Sequence, residues 1–344
     1  MRSLSEALVT DKKVLVRVGF DVPVGSDGRI SDDTRILEAL PTLDYLRSQK
    51  AKIILLSHRG RPDGHLDPED SLLPTAQYLE TLIKEPVEFI TEKMEEKISQ
   101  YLIDLQEKDI IMLENLRFHE GEEKNEPRFS QWLASLGDIF VNDAFSDCHR
   151  AHASIVGLPK LLPSYVGFGL EKEIKTLTDF LKTPEHPVIA IIGGAKLESK
   201  LPAITNLLPL ADQVLIGSKF VTENLPDSPK IVRPTDTTKD EKGNNVDIGP
   251  QTIANYRQII AQAKTIFWSG PLGRFEDDRF QGGTKKIAEA LAEHPGQTIV
   301  GGGDTIAALK KFSLLEKMKY ISTGGSAMLD FVAGKKLPGI EALE

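Results

Sequence analysis

Arginines and histidines recur just past the carboxyl ends of successive apolar runs in the first half of the chain. Asp21, His58, Arg61, Asn115, Arg117, His119, Asn142, Asp143, His149, Arg150 and His152 occupy such positions, and Arg35 lies just inside the helical stretch after the first run. A guanidinium is a planar fork that matches carboxylate and phosphate oxygens, so four arginines converging on one rim would suit a small molecule carrying both groups. Any one of these arginines alone reads more readily as a surface ion pair; their recurrence favours a site. His149 and His152 lie three apart and could share a helical face around zinc, but no carboxylate or cysteine pattern completes a tetrahedral set.

The second half carries glycine turns. PVIAIIGGAKLESK places Gly193, Gly194, Lys196 and Lys200 after an apolar run. Glycines there let a backbone approach phosphate closely, and lysines four apart would project from one face of the following helix. The spacing is neither a Walker A motif nor GxGxxG. TIVGGGDT leads through Gly302 and Gly303 to Asp304 and Thr305 at a helix start. Asp304 there is either a plain N-cap or a ligand for magnesium bridging two phosphates. TGGSA offers Gly324 and Gly325 as amides near a transferring group, and Glu276, past WSGPLGRF, is placed to accept a ribose hydroxyl. A small-anion side paired with a polyphosphate side is what two-substrate phosphoryl transfer requires.

Alternating strands and helices must position these residues. Val14–Phe20, Lys52–His58, Val87–Ile90, Asp109–Asn115 and Asp138–Asp143 read as strands. Helices are expected from SDDTRILEALPTLDYLRSQ, with Ser31, Asp32 or Asp33 as cap, from LLPTAQYLETLI, over 95–105, and from EPRFSQWLASL. Continuous apolar strands separated by helical crossovers imply a mostly parallel sheet covered on both faces. Gly157–Gly169 reads as the domain transition and Leu170–Leu181 as a connecting helix. Val188–Ile192, Gln213–Gly217, Lys230–Pro234, Thr265–Trp268, Thr298–Gly302 and Tyr320–Ser322 repeat the pattern, and TDTTKDEKGNNVDIG reads as an exposed loop. The fold class is therefore α/β.

The chain has 344 residues, 40% hydrophobic and 27% charged, with net charge −9. This length favours two domains, and the charge disfavours a general nucleic-acid binder. No apolar run is long enough to span a membrane. The N-terminus enters a strand without a secretory leader, so a cytoplasmic location is expected. Cys148 is the single cysteine, which excludes an intrachain disulfide; a reactive thiol stays open.

These motifs together resemble the phosphoglycerate kinase family. The matching stretches are DDTRI, SHRGRP, ENLRFHEGEE, FVNDAFSDCHRAHAS, IIGGAKLESK, FWSGPLGRFE, VGGGDT and ISTGGSAMLDFVAGKKLPGI. The resemblance implies two doubly wound, Rossmann-like parallel-sheet lobes around an interdomain cleft that closes for in-line transfer. It implies a phosphoglycerate-binding lobe over 1–165, with residues 330–344 packing back on it as a last helix, and a nucleotide-binding lobe over 170–329. The small-molecule substrates are 3-phosphoglycerate or 1,3-bisphosphoglycerate and Mg-ATP or Mg-ADP, the protein being a monomer. By position, the resemblance implies that Asp21, Arg35, His58, Arg61, Arg117 and Arg150 bind phosphoglycerate. Arg35, Lys196, Gly324 and Gly325 serve the reaction centre. Gly193, Gly194, Lys196, Lys200, Glu276, Gly302, Gly303, Asp304 and Thr305 bind nucleotide, with Asp304 as the Mg2+ ligand.

Four departures from the family pattern fall near these sites. RVGFDVP stands where the family reads RVDFNVP, so Gly19 lacks a carboxylate and Asp21 adds one; Asp21 either burdens the anion site or takes over the missing aspartate's role. Gly217-Ser218-Lys219-Phe220-Val221 replaces GGGMA, placing side chains where bare backbone is expected. Several tens of residues are missing between that turn and DIGP, abbreviating the lobe around 219–247, so a helix walling it is shortened or absent. Ser269 replaces the asparagine of WNGP. These leave open a same-fold kinase with an altered nucleotide or acid substrate, or a weak or inactive binding or regulatory paralogue.

Overall fold

A computed structural model describes residues 1–25, 27–91, 98, 105–106 and 109–344 of the protein. The helix expected over 95–105 falls outside the described residues except for Ile98 and Leu105, which are buried. The chain divides into two compact units, Met1–Lys175 with Lys336–Glu344, and Thr176–Lys335.

The first unit is built on a six-stranded, all-parallel sheet in the order β3-β4-β2-β1-β5-β6. Its strands are β1 (Lys13–Val18), β2 (Lys52–Leu56), β3 (Glu88–Ile90), β4 (Ile110–Leu113), β5 (Ile139–Asp143) and β6 (Ser164–Val166). The central strands are buried along nearly their whole length, as continuous runs such as KVLVRV and KIILL require of a sheet covered on both faces. Two apolar clusters pack on the opposite faces, one around Val14, Val16, Ile36 and Leu43, the other around Leu15, Ile54, Phe140 and Leu133. The residues read as a domain transition instead add β6 to this sheet, and the division between units falls inside helix Phe168–Lys182. Helix Thr34–Ser48 has Asp33 at its N-cap position, yet Asp32 accepts from the Thr34 amide (3.0 Å) while Asp33 accepts from the Tyr78 hydroxyl (2.7 Å).

The C-terminal segment is not one helix. Ser326–Val332 is helical within the second unit, the chain then breaks at Gly334 (φ 74°), and Pro338–Glu341 forms a last turn within the first unit. There the Gly339 amide donates to the Cys148 carbonyl (2.9 Å), an approach that leaves no room for a larger residue: an added Cβ would lie 2.8 Å from Ile155.

The second unit repeats the architecture in the order β14-β13-β12-β7-β8-β9, again all parallel. Its strands are β7 (Val188–Ile192), β8 (Gln213–Ile216), β9 (Ile231–Val232), β12 (Thr265–Ser269), β13 (Gln297–Gly301) and β14 (Tyr320–Ser322). The segment read as an exposed loop is an antiparallel hairpin of β10 (Thr237–Lys239) and β11 (Asn245–Ile248). Its turn is tied by Asp240, which accepts from the amides of Lys242 and Asn244 (both 3.0 Å). Polar side chains on both strands hide its period from a hydropathy reading.

No helix lies between Phe220 and Ile231, so the shortened stretch is a bare connection after the 3-10 turn Ser218–Phe220. Arg233 and Tyr256 help to hold it. Arg233 donates to the carbonyls of Phe220 (3.1 Å), Val221 (2.8 Å) and Glu223 (3.1 and 3.2 Å). The buried Tyr256 hydroxyl lies 2.9 Å from Ile216 O and 2.8 Å from Val232 O, bridging the ends of β8 and β9.

Candidate active site

In each sheet the chain winds outward in one direction and then returns to the centre to wind in the other. The strand order reverses between β1 and β5 in the first unit and between β7 and β12 in the second. Loops leaving the carboxyl ends of such strands part there and open a crevice. Gly19–Asp21 and Ala144–Arg150 leave the first pair; Gly193–Lys200 and Gly270–Glu276 leave the second.

The first crevice gathers the basic residues. His58, at the end of β2, is buried, and its Nδ1 lies 2.7 Å from an NH2 of fully buried Arg17. Burial lowers its pKa well below the usual histidine value, and the nearby arginines push the same way, so the ring is neutral. A guanidinium can only donate, so Nδ1 accepts and Nε2 carries the proton. Nε2 faces Asp147 (3.7 Å) and Asp21 (3.9 Å). Asp21 does not sit idle against an anion: it accepts from the Gly60 amide (3.1 Å), and its carbonyl accepts from Arg35 (2.6 Å). It thereby ties the SHRGRP loop to the start of the first crossover. Arg117, nearly fully buried, donates to the Gly60 carbonyl (2.6 Å) and pairs with Glu123 (3.1 Å), while its NH2 is buried without a hydrogen-bond partner among the described residues. Arg35 and Arg150 are half-buried, and Arg61 is exposed on the same loop.

Other strand-end residues turn out to be supports. Asn115 accepts from the Arg117 amide (3.0 Å) and donates to the carbonyls of Arg59 (2.6 Å) and Asp70 (2.9 Å). Asn142 accepts from the Ala144 amide (3.0 Å), and Asp143, whose pKa burial raises to about 6, accepts from the Leu170 amide (2.9 Å). His119 packs on Phe129 and Trp132, with centroids 5.0 and 5.5 Å away. Among the described residues no cluster of three metal-ligating side chains is found. His152 faces buried Glu122 (3.9 Å), with its pKa lowered to about 4, first by burial. Cys148 is buried, and burial pushes its thiol pKa far up, so it is no nucleophile.

The second unit has a cavity of about 800 Å³, and Gly194, Glu276 and Asp304 line it among the residues expected there. Residues 193–200 are irregular and helix Leu201–Leu207 begins only afterwards, so Lys196 and Lys200 do not share a helix face. Lys196 is exposed. Lys200 reaches the Ser269 hydroxyl (3.1 Å); burial lowers its pKa to about 8, with Asp304 pulling it partly back. The Gly193 and Gly194 amides do not face open space: they donate to the carbonyls of Ser269 (3.0 Å) and Pro271 (2.8 Å). A Cβ on Gly193 would stand 2.1 Å from Pro271 O, so the glycines serve close approach of two turns rather than of backbone to ligand alone.

Asp304 is not an N-cap. Gly302, at φ 101°, holds that position, and Asp304 sits exposed in the first turn of helix Gly303–Lys311. Thr305 is buried and accepts from the Gly270 amide (2.7 Å), fixing the WSGP turn. Gly324 is buried with its amide on Ser322 Oγ (3.2 Å), and Gly325 (φ 51°) caps helix Ser326–Val332. The sequence reading missed Lys239, Asn244 and Asn245 on the hairpin, and Arg274, all of which line the cavity with Lys219. Their polarity carried no helical or strand period to flag them.

A sequence model of the phosphoglycerate kinase family matches residues 4–223 and 218–335. The two matches meet at the turn after β8, where the chain is shortened. The chain is 40% identical to the phosphoglycerate kinase of Coprothermobacter proteolyticus, covering 100% of this chain and 98% of the relative, in an alignment of 387 positions against 344 residues here. It is 43% identical to that of Thermosipho africanus, over 96% of this chain and 95% of the relative. Among solved structures it resembles phosphoglycerate kinase from Pyrococcus horikoshii (TM-score 0.87, 30% identity, 100% and 98% covered) and from Coxiella burnetii (TM-score 0.83, 33% identity, 99% and 98% covered).

Proposed function

The chain belongs to the phosphoglycerate kinase family, and we infer from its sites how its own residues divide the transfer of a phosphoryl group between ATP or ADP and phosphoglycerate. The first unit holds the acid: Arg35, His58, Arg61, Arg117 and Arg150 with Asp21 form its binding rim. The second unit holds the nucleotide in the cavity lined by Gly194, Glu276 and Asp304, with Lys196, Lys200 and the turns at Gly302–Thr305 and Gly324–Gly325 around the phosphates. The observation that carries this reading is the placement of both sets of charged groups at the strand-order reversals of two parallel sheets.

Asp304 fits magnesium by its donor chemistry: one exposed carboxylate, with phosphates and water completing the shell. Bound there, Mg2+ would neutralise phosphate charge. The acceptor toward ATP is a carboxylate, already ionised near neutral pH, so no strong general base is needed. What the protein supplies is alignment and charge, Arg35 from the acid side and Lys196 from the nucleotide side. The same reading has the enzyme act as a cytoplasmic monomer on small molecules; among the described residues no helix is long and apolar enough to cross a membrane. The comparisons lend no support to an altered substrate or a binding-only paralogue.

The test is steady-state transfer between Mg-ATP and 3-phosphoglycerate. Lys196→Ala is expected to lower kcat by about 10²–10³-fold while titration calorimetry shows unchanged 3-phosphoglycerate binding. An unchanged rate would remove Lys196 from the mechanism.

A further inference from the structure

We propose that Asp147 is the positioning carboxylate of the phosphoglycerate rim, holding Arg17 and His58 so that His58, Arg35 and Arg150 face the substrate. This rests on the assignment of that rim to phosphoglycerate.

Asp147 ends the 3-10 turn Phe145–Asp147 at the β1/β5 reversal, and its side chain is only 5% exposed. One oxygen lies 3.4 Å from Arg17 NH2; the other lies 3.7 Å from His58 Nε2 and 4.0 Å from Arg150 Nε. Arg17 is fully buried, donating also to Ser154 Oγ (2.9 Å) and to His58 Nδ1 (2.7 Å); it pairs with Asp147 and also lies in the field of buried Glu122, which Ser154 links to it. Without Asp147, the other carboxylate acting on this buried guanidinium is Glu122 on the Ser154 side, and a guanidinium drawn that way loses its hold on His58. Asp147 therefore fixes Arg17, Arg17 fixes the tautomer of His58, and the Nε2 proton is held toward the crevice.

The neighbouring glycine explains why the carboxylate comes from this loop. An added Cβ on Gly19 would meet Ser146 Oγ at 2.8 Å. Ser146 thus occupies the space that a side chain leaving β1 would need, and its hydroxyl lies 3.5 Å from Asp147 Oδ2. The serine, the aspartate and the glycine form one unit, with the negative charge supplied from the β5 side. Asp21, already engaged with Gly60 and Arg35, does not reach Arg17. Burial alone would raise the Asp147 pKa, but the guanidiniums of Arg17, Arg35 and Arg150 outweigh it and keep the carboxylate ionised.

Charge alone predicts the opposite outcome. Removing a negative charge beside an anion site should tighten binding and lower the KM for 3-phosphoglycerate. If Asp147 positions the rim, Asp147→Asn instead raises that KM roughly tenfold and leaves the KM for Mg-ATP unchanged. An unchanged or lowered KM for 3-phosphoglycerate overturns it, as does an equal rise in both constants, the mark of general structural loss. Arg35→Met is the control for the underlying assignment. If it raises the KM and Asp147→Asn does not, only the role of Asp147 fails; if neither raises it, the rim itself is misassigned. Adding Gly19→Asp and Ser146→Gly to Asp147→Asn should recover much of the lost affinity, and no recovery overturns the account of Gly19. Should Asp147→Asn not fold, 15N NMR of the wild-type His58 ring decides: the Nε2–H tautomer supports the relay through Arg17, and Nδ1–H overturns it.

Discussion

Lys200 shows how a single amine can be given two opposite responses to pH. Burial lowers its pKa to about 8 from the ordinary 10.5, so it is charged below about pH 8 in the free protein and neutral above it. Between those values the unfolded chain binds more protons at this group, so the stability cost of burying the charge is relieved as pH rises. If Lys200 holds nucleotide phosphate as proposed, nucleotide capture runs the other way, because the neutral amine no longer attracts phosphate. The kcat/KM for Mg-ATP is expected to fall about tenfold per unit on the alkaline side of pH 8, and Lys200→Arg to abolish that limb, since a guanidinium does not titrate there. A limb that persists in the arginine variant assigns the titration to another group.

At the scale of elements, the shortened stretch after β8 is closed by hydrogen bonds rather than by a packed helix. Arg233 caps the carbonyls of Phe220, Val221 and Glu223, and these lie in or beside the turn whose Ser218, Lys219 and Thr222 line the cavity proposed to take the nucleotide. Arg233→Met should loosen that turn by about 1 kcal/mol, raising the KM for Mg-ATP roughly fivefold with the KM for 3-phosphoglycerate unchanged. Equal KM values in variant and wild type would show that the turn is held without the guanidinium. The hairpin β10–β11 is a second wall of the same cavity. Its polar sequence reads as a loop because a ribbon with little buried surface needs no alternating apolar face; its turn chemistry at Asp240–Asn244 was the available signal.

At the scale of the molecule, two units with separate sheets and cores should answer to different ligands. Hydrogen exchange with 3-phosphoglycerate alone is expected to protect amides around Asp21, His58–Gly60 and Ala144–Arg150, and ADP with magnesium those around residues 193–200 and 302–305. Protection of the opposite unit by either ligand alone would reverse the assignment of sides. The net charge of −9 makes this division more telling, because anionic substrates must be drawn by local arginines and lysines against an unfavourable total.

The sequence alone determined the alternation of strands and helices, because continuous apolar runs can be buried only in a sheet covered on both faces. It also marked which loop residues carry charge, and it exposed the missing stretch after Gly217. Only the tertiary structure decided what those residues touch. The amides of Gly193 and Gly194 are spent on the Ser269–Pro271 turn, Asn142 and Asp143 are supports, Gly302 rather than Asp304 caps its helix, and Lys196 and Lys200 precede a helix rather than ride on one. Asp147 lies inside the FVNDAFSDCHRAHAS stretch, but nothing local marks its role; its weight comes from Arg17, His58 and Arg150, which are distant in sequence or offset by a turn and meet only where β1 and β5 part. Hydrophobic pattern is local and can be read along a chain, whereas the partner of a buried charge is set by which strands lie side by side.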